Sequence, residues 1–322
     1  MTSFTVEARA LGAQDMVPLT RGIARAASAP GSRRPEEFHR RYAAAPHGAC
    51  IAFARDGEGE LRAGIAATRQ KVLFEGREVH WLEVGDLFND FGRGRGLCRA
   101  RAVLAAGQAF AEAFGGFAPE KHPVVYGLPG RRAHRLGLRH LEWEVLRSEN
   151  ELRLDLARLE ARSAAGVDVE EVERFPVEVE GCFRRFAEGR AALLVRDAAY
   201  LNWRYGGEGE QKFRVALARV DGELRGYAVY RAGWILDWIA RPEEEGVAGE
   251  LLSWSVARAR HEGRATLSLV VPDTAPEWLA FQRRGFRAHG TREFLCFRSF
   301  QRPAIMSWLF KNWFYTRGDT LR

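Results

Sequence analysis

Between residues 88 and 104 the chain reads FNDFGRGRGLCRARAVL, with three glycines and four arginines in one turn and its run-out. Glycine frees the backbone and lets a bulky ligand approach without a Cβ in the way. Where such a turn leads from a strand into a helix, backbone N–H groups and the positive end of the helix dipole converge on one point. That geometry holds a diphosphate. The segment is not a P-loop, because GxxxxGK followed by Ser or Thr is absent. Nor is it a dinucleotide fingerprint, because the third glycine of GxGxxG is missing and no acidic residue stands suitably downstream. The pattern that fits is Arg-x-x-Gly-x-small, carried by Arg93, Gly96 and Cys98. Just before it, the apolar run EVGDLF (83–88) carries two carboxylates, Glu83 and Asp86. Strand alternation at that odd spacing puts them on opposite faces, so only one would line a cleft. Either could instead pair with a neighbouring arginine.

The elements that position these residues occur twice. HRRYAAAPHGACIAFARDGEGELRAG (39–64) parallels NWRYGGEGEQKFRVALARVDGELRGY (202–227), with Tyr42 on Tyr205, Gly59 on Gly222 and Leu61-Arg62 on Leu224-Arg225, each 163 residues apart. Each copy reads as a β-hairpin with a glycine-containing turn. EVGDLF then parallels WILDWI (234–239), a short apolar run with one Asp in each, as expected of a central strand. Helices are predicted over 97–114 and 247–261 from apolar positions at helical spacing. Strands follow at PVVYGL (123–128) and ATLSLVV (265–271), and short helices close on LGLR (136–139) and RGFR (284–287). The acidic stretch GVDVEEVERFP (166–176) marks the join.

At 322 residues the chain is long enough for two domains. Hydrophobic residues at 46% and charged residues at 28% exclude a disordered chain. All but four of the 49 basic residues are arginine, yet the 42 acidic residues are spread among them. The net charge of +7 therefore permits a phosphate-bearing ligand, and no basic stripe argues for nucleic acid. Cys50, Cys98, Cys182 and Cys296 form no CxxC pair, which argues against zinc or a disulfide framework and fits a reducing cytoplasm. The N-terminal residues lack the charged and apolar regions of a signal peptide, and no apolar run approaches a membrane span.

Motif, element order and duplication together resemble the GCN5-related N-acetyltransferases of bacterial type, whose diphosphate site is Arg/Gln-x-x-Gly-x-Gly/Ala between strand and helix. The resemblance implies an α/β chain of two tandem domains, each a mixed central sheet flanked by helices. These would be residues 1–165 and a degenerate 166–300, followed by an aromatic tail, 301–322. It implies acetyl-CoA, or another acyl-CoA, as cofactor and a primary amine as acceptor, on a small molecule, amino sugar or peptide. By position Leu87 and Phe88 would supply backbone contacts to pantetheine and the reacting carbonyl, and Arg93, Gly94, Arg95, Gly96, Leu97 and Cys98 would hold the diphosphate. Arg131, at the start of the next short helix, could reach the same phosphates or face solvent. Glu83 or Asp86 would be the general base. The tyrosine that many members use as acid is replaced by Ala133, which leaves His134 and Tyr126 as candidates. In the second copy ARPEEEGVAGELL (240–252) stands where the turn should be, and three consecutive glutamates would repel a diphosphate. Only the first copy is then expected to bind the cofactor.

The tail SWLFKNWFYTRGDTLR (307–322) lacks the basic face of an interfacial membrane anchor and is expected to pack across the seam between the copies. A homodimer is left open. Two other readings remain: an aminoacyl-tRNA-dependent transferase on the same duplicated fold, and a CoA-binding protein without catalysis.

Overall fold

The computed structural model describes residues 4–27, 35–89, 98–158, 166–206, 213–300 and 304–320. Its strands are β1 (Thr5–Ala10), β2 (Ala49–Arg55), β3 (Leu61–Phe74), β4 (Arg77–Asn89), β5 (Val124–Gly127), β6 (Glu144–Asp155), β7 (Asp168–Val172), β8 (Ala192–Leu194), β9 (Arg214–Val220), β10 (Glu223–Arg231), β11 (Trp234–Ile239), β12 (Thr266–Leu269), β13 (Arg287–Ser299) and β14 (Trp313–Phe314). The helices are α1 (Met16–Ala27), α2 (Pro35–Phe38), α3 (Cys98–Phe114), α4 (Arg131–His140), α5 (Val179–Ala187), α6 (Ala198–Tyr205), α7 (Glu245–His261), α8 (Pro276–Arg283) and α9 (Ala304–Asn312). A single mixed sheet runs β1-β2-β3-β4-β5-β13-β6-β12-β11-β10-β9-β7, with β8 beside β3 and β14 beside β8.

The expected hairpins form, and for the expected reason. Asp221 and Gly222 both take positive φ (51° and 79°) between β9 and β10, the handedness that lets a two-residue turn match the twist of its strands. In the first copy the expected turn, between β2 and β3, holds Gly59 at a φ of 80°, and a further hairpin, β3–β4, turns on Glu75 and Gly76 at positive φ. α3 buries Val103, Ala106 and Phe110 against the first hairpin sheet, and α7 buries Val247, Leu251 and Val256 against the second. The stretch 166–176 is more than a join. It contains β7, an edge strand on β9, whose Glu170 and Glu171 accept from Arg219 and Arg214. Charges on an edge strand discourage pairing with another chain.

The two copies are stitched together by their closing strands. β6 follows α4 of the first copy yet pairs with β12 of the second, while β13 follows α8 of the second yet pairs with β5 of the first. β6 and β13 also pair with each other, so the sheet is continuous across the seam. The tail enters this seam. β14 pairs with β8, and Trp313 packs edge-on against Trp81 at 5.1 Å and Tyr126 at 5.0 Å. No helix among the described residues is long and apolar enough to cross a membrane.

Candidate functional site

β4 and β3 run in register from Phe74–Arg77 to Ala67–Val84, after which Ala66 pairs with Asp86. Gly85 is thus an extra residue in β4, a β-bulge. Thr68 and Ala66 lie on one face of β3, so their partners Glu83 and Asp86 share a face of β4 as well. The opposite-face expectation fails because the inserted residue reverses the alternation. A Cβ on Gly85 would stand 2.5 Å from the Tyr42 hydroxyl and 2.6 Å from the Arg41 guanidinium, so a side chain there would push these two groups aside.

The shared face is a polar cluster. The Tyr42 hydroxyl donates to Asp86 Oδ2 at 2.6 Å. Arg204, from α6 of the second copy, donates to both oxygens of Glu83 at 3.0 and 3.1 Å and to the carbonyl of Gly318 in the tail at 2.7 Å. Gln70 donates to Glu83 at 3.0 Å, and Arg41 stands 3.8 Å from it. Glu83 is therefore paired with arginine, and through Arg204 it links the two copies.

Past the bulge, β4 separates from β5. Their parallel pairing is Leu82 with Val125 and Glu83 with Tyr126. At Gly127 a Cβ would meet the Val84 carbonyl oxygen at 2.9 Å. The widening gap is a cleft of about 200 Å³, lined by Gly85, Asp86, Leu87, Gly127, Gly130 and Ala133, among others. Asp86 lines it and Glu83 does not. Leu87 lines it, whereas the Phe88 ring turns away and fills the space beside Gly22 and Gly64.

The other expected site residues fall as follows. Tyr126 is fully buried on the seam face beneath Trp313, its hydroxyl 3.5 Å from the Asp319 carbonyl, and burial raises its pKa well above the usual tyrosine value. His134 stacks on Phe294 at 4.9 Å. Neither is among the cleft-lining side chains. Arg131 is exposed at the start of α4, next to cleft-lining Gly130. Arg93, Gly94, Arg95, Gly96 and Leu97 lie outside the described residues, and Cys98 begins α3. Sequence reasoning named Tyr42 only as a marker of the repeat and gave no role to it, to Arg41 or to Arg204. A signal was present: Arg41-Tyr42 and Arg204-Tyr205 are the same dipeptide in the two copies.

The second copy repeats the device. Val229 pairs with Asp237 and Tyr230 with Ile235, so Leu236 is a bulge in the position of Gly85. Tyr205 donates to Asp237 Oδ2 at 3.1 Å, as Tyr42 does to Asp86. Here the carboxylate is fully enclosed. It also accepts from Tyr227 and from Thr316 of the tail, both at 3.1 Å, and pairs with the buried Arg196, which reaches Asp319 at 2.7 Å. Burial and the neighbouring Asp237 push the Asp319 carboxyl up to about 6 against the pull of Arg196. The corresponding cleft is closed. Trp238 stands where the first copy has Leu87 and Phe281 where it has Ala133, their rings 5.0 Å apart, leaving about 10 Å³.

No protein-family model and no curated protein sequence matches the chain. Solved structures do. It is similar to a GCN5-related N-acetyltransferase from Kribbella flavida, at 16% identity and a TM-score of 0.64, over 94% of this chain and 72% of that one. A tandem protein of the same type from the clavulanic acid biosynthesis pathway aligns at 15% identity and a TM-score of 0.54, over 91% and 98% of the two chains. Saccharomyces cerevisiae N-myristoyltransferase with bound myristoyl-CoA aligns at 12% identity and a TM-score of 0.55, over 91% and 78%.

Proposed function

We propose, from the premise that the chain carries the GCN5-related N-acetyltransferase fold in tandem, that it is an acyl-CoA-dependent N-acyltransferase whose first copy does the chemistry. The observation that carries this reading is the cleft beside the Gly85 bulge, with Asp86 on its wall. The residues present fit an acyl-CoA. Beyond Glu83 and Tyr126 the edges of β4 and β5 are not laddered to each other, and Gly127 keeps the throat of the gap clear.

Acyl-CoA supplies a thioester from which an amine displaces the thiolate: a C–N bond forms, the C–S bond breaks, the amine loses a proton and the thiolate gains one. Within the cleft Asp86 is the group suited to take the amine proton. The Tyr42 hydroxyl fixes its orientation. Glu83 is held by Arg204 and serves to anchor the second copy behind β4. Leu87, Gly130 and Ala133 form the apolar wall that limits water, and Leu87 and Phe88 contribute backbone along the same strand. The motif from Arg93 to Cys98 is assigned to the diphosphate, acetyl to the acyl group, and a primary amine to the acceptor.

The test is release of free CoA thiol from acetyl-CoA with a panel of primary amines. Asp86→Asn should lose about 10²- to 10⁴-fold in kcat, the usual contribution of a positioned base, while keeping its acetyl-CoA affinity. Undiminished turnover in Asp86→Asn, or no thiol release with any amine, would refute the reading.

A further inference from the structure

Two carboxylates on one face of one strand repel each other, and their surroundings decide which of them accepts a proton. Glu83 and Asp86 are such a pair, brought to one face by the Gly85 bulge. Glu83 is enclosed. It accepts from Arg204 at both oxygens, 3.0 and 3.1 Å, and from Gln70 at 3.0 Å. Asp86 accepts from Tyr42 at 2.6 Å and lines the cleft. Arg204 is buried as well, on α6 of the second copy, and its Nε donates to the Gly318 carbonyl at 2.7 Å. Protonating Glu83 would leave that guanidinium in the core without its counter-charge, which is strongly unfavourable.

The two carboxylates are joined through Arg41. Its guanidinium stands 3.8 Å from Glu83 Oε1, the oxygen that Arg204 also holds at 3.0 Å. The same guanidinium lies against the bulge, where a Cβ on Gly85 would meet it at 2.6 Å and the Tyr42 hydroxyl at 2.5 Å. A row of contacts therefore runs from the tail to the cleft: Gly318, Arg204, Glu83, Arg41 over Gly85, and Tyr42 with Asp86. Burial by itself would lower the Arg41 pKa, but Tyr42, Asp86 and Glu83 hold it above the usual arginine value, with Arg204 opposing them. Tyr126 of β5 and Tyr200 and Tyr205 of α6 stand close to Glu83 or Arg204, and burial raises all three well above the tyrosine range, so they stay neutral. Asp319 of the tail is paired with Arg196 at 2.7 Å.

We infer that Arg204, supplied by the second copy, is a positioning residue for the chemistry of the first: it occupies Glu83, through it steadies Arg41 on the bulge, and leaves Asp86 to receive the amine proton. This role rests on the acyltransfer reading. Its test is the pH profile of kcat for thiol release from acetyl-CoA, with acetyl-CoA affinity measured alongside by titration calorimetry. One unit charge at this range moves a carboxylate's titration by about half to one pH unit. Arg204→Met removes a positive charge near Asp86, so the acidic limb should move up by about that much. Glu83→Gln removes a negative charge, so the limb should move down. The double variant should return it to the wild-type position, and acetyl-CoA affinity should hold in all three. An ion pair that served folding alone would change stability and leave the limb in place. Unmoved limbs, single variants that move the same way, or lost acetyl-CoA affinity in Arg204→Met would overturn the inference. Should Arg204→Met not fold, Glu83→Gln and the double variant still decide, because they differ only in the Arg204 charge. Their limbs should lie about half to one unit apart, and coincident limbs would refute the role. No thiol release by the wild type with any amine would instead bring down the acyltransfer reading, and this role with it.

Discussion

The two copies share one device and put it to different use. Each breaks its central strand with a single extra residue, Gly85 or Leu236, places an aspartate next to it, and holds that aspartate with the hydroxyl of a repeated tyrosine, Tyr42 or Tyr205. In the first copy the strands then part around a cleft of about 200 Å³. In the second, Trp238 and Phe281 fill the gap and the tail covers the aspartate with Thr316. The bulge and the Tyr–Asp bond are therefore properties of the scaffold. What distinguishes the open cleft from the filled one is the size of two side chains and the presence of a lid.

That contrast is open to direct attack. The largest effect is expected from Leu87→Trp with Ala133→Phe, which gives the first cleft the side chains of the second. Acyl-CoA affinity should fall by more than about 100-fold, since the ligand loses the volume it occupies, while the melting temperature is preserved. Next, the same change in the two aspartates should separate function from stability. Asp237→Asn leaves Arg196 half-neutralised in a dry core and should cost about 3–5 kcal/mol of unfolding free energy, read by denaturant titration. Asp86→Asn, at the edge of the cleft, should cost about 1 kcal/mol by the same measurement. Equal losses would dissolve the distinction between them.

A smaller effect concerns Glu149 in β6, where the copies exchange strands. Burial, opposed by the Tyr315 hydroxyl, pushes its carboxyl up to about 7. The folded protein binds this proton more tightly than the unfolded chain does. The associated stability is full below the unfolded pKa of 4.5 and is lost as pH rises through about 7. Glu149→Gln, which does not titrate, should therefore gain on the wild type by up to about 3 kcal/mol between pH 5 and pH 8. A difference that stays constant with pH would contradict this. Smallest of all, Tyr42→Phe and Tyr205→Phe should each cost about 1–2 kcal/mol of stability, but only Tyr42→Phe should shift the pH profile of kcat. A profile shift in both would show that the tyrosines act only through folding.

Much of this was legible in the sequence because it is local. The Asp221-Gly222 turn, the helical stripe on α3 and the repeat of Tyr42 in Tyr205 all depend on residues close in the chain or on self-similarity. What escaped depends on pairing. Whether Glu83 and Asp86 share a face is decided by β3, whose register with β4 slips by one residue, and strand alternation alone cannot report that slip. The exchange of β6 and β13 is likewise set by which edges meet, and the join at 166–176 hides an edge strand because its acidic residues face arginines on and beside β9. Arg204 escaped because its partner Glu83 is 121 residues away in the other copy. The motif from Arg93 to Leu97 was the clearest sequence signal for the cofactor, and it lies outside the described residues.

Isothermal titration with acetyl-CoA bears most directly on the division of labour between the copies. One molecule should bind per chain, and binding should vanish in Leu87→Trp with Ala133→Phe. Two molecules per chain, or undiminished affinity in that double variant, would contradict it.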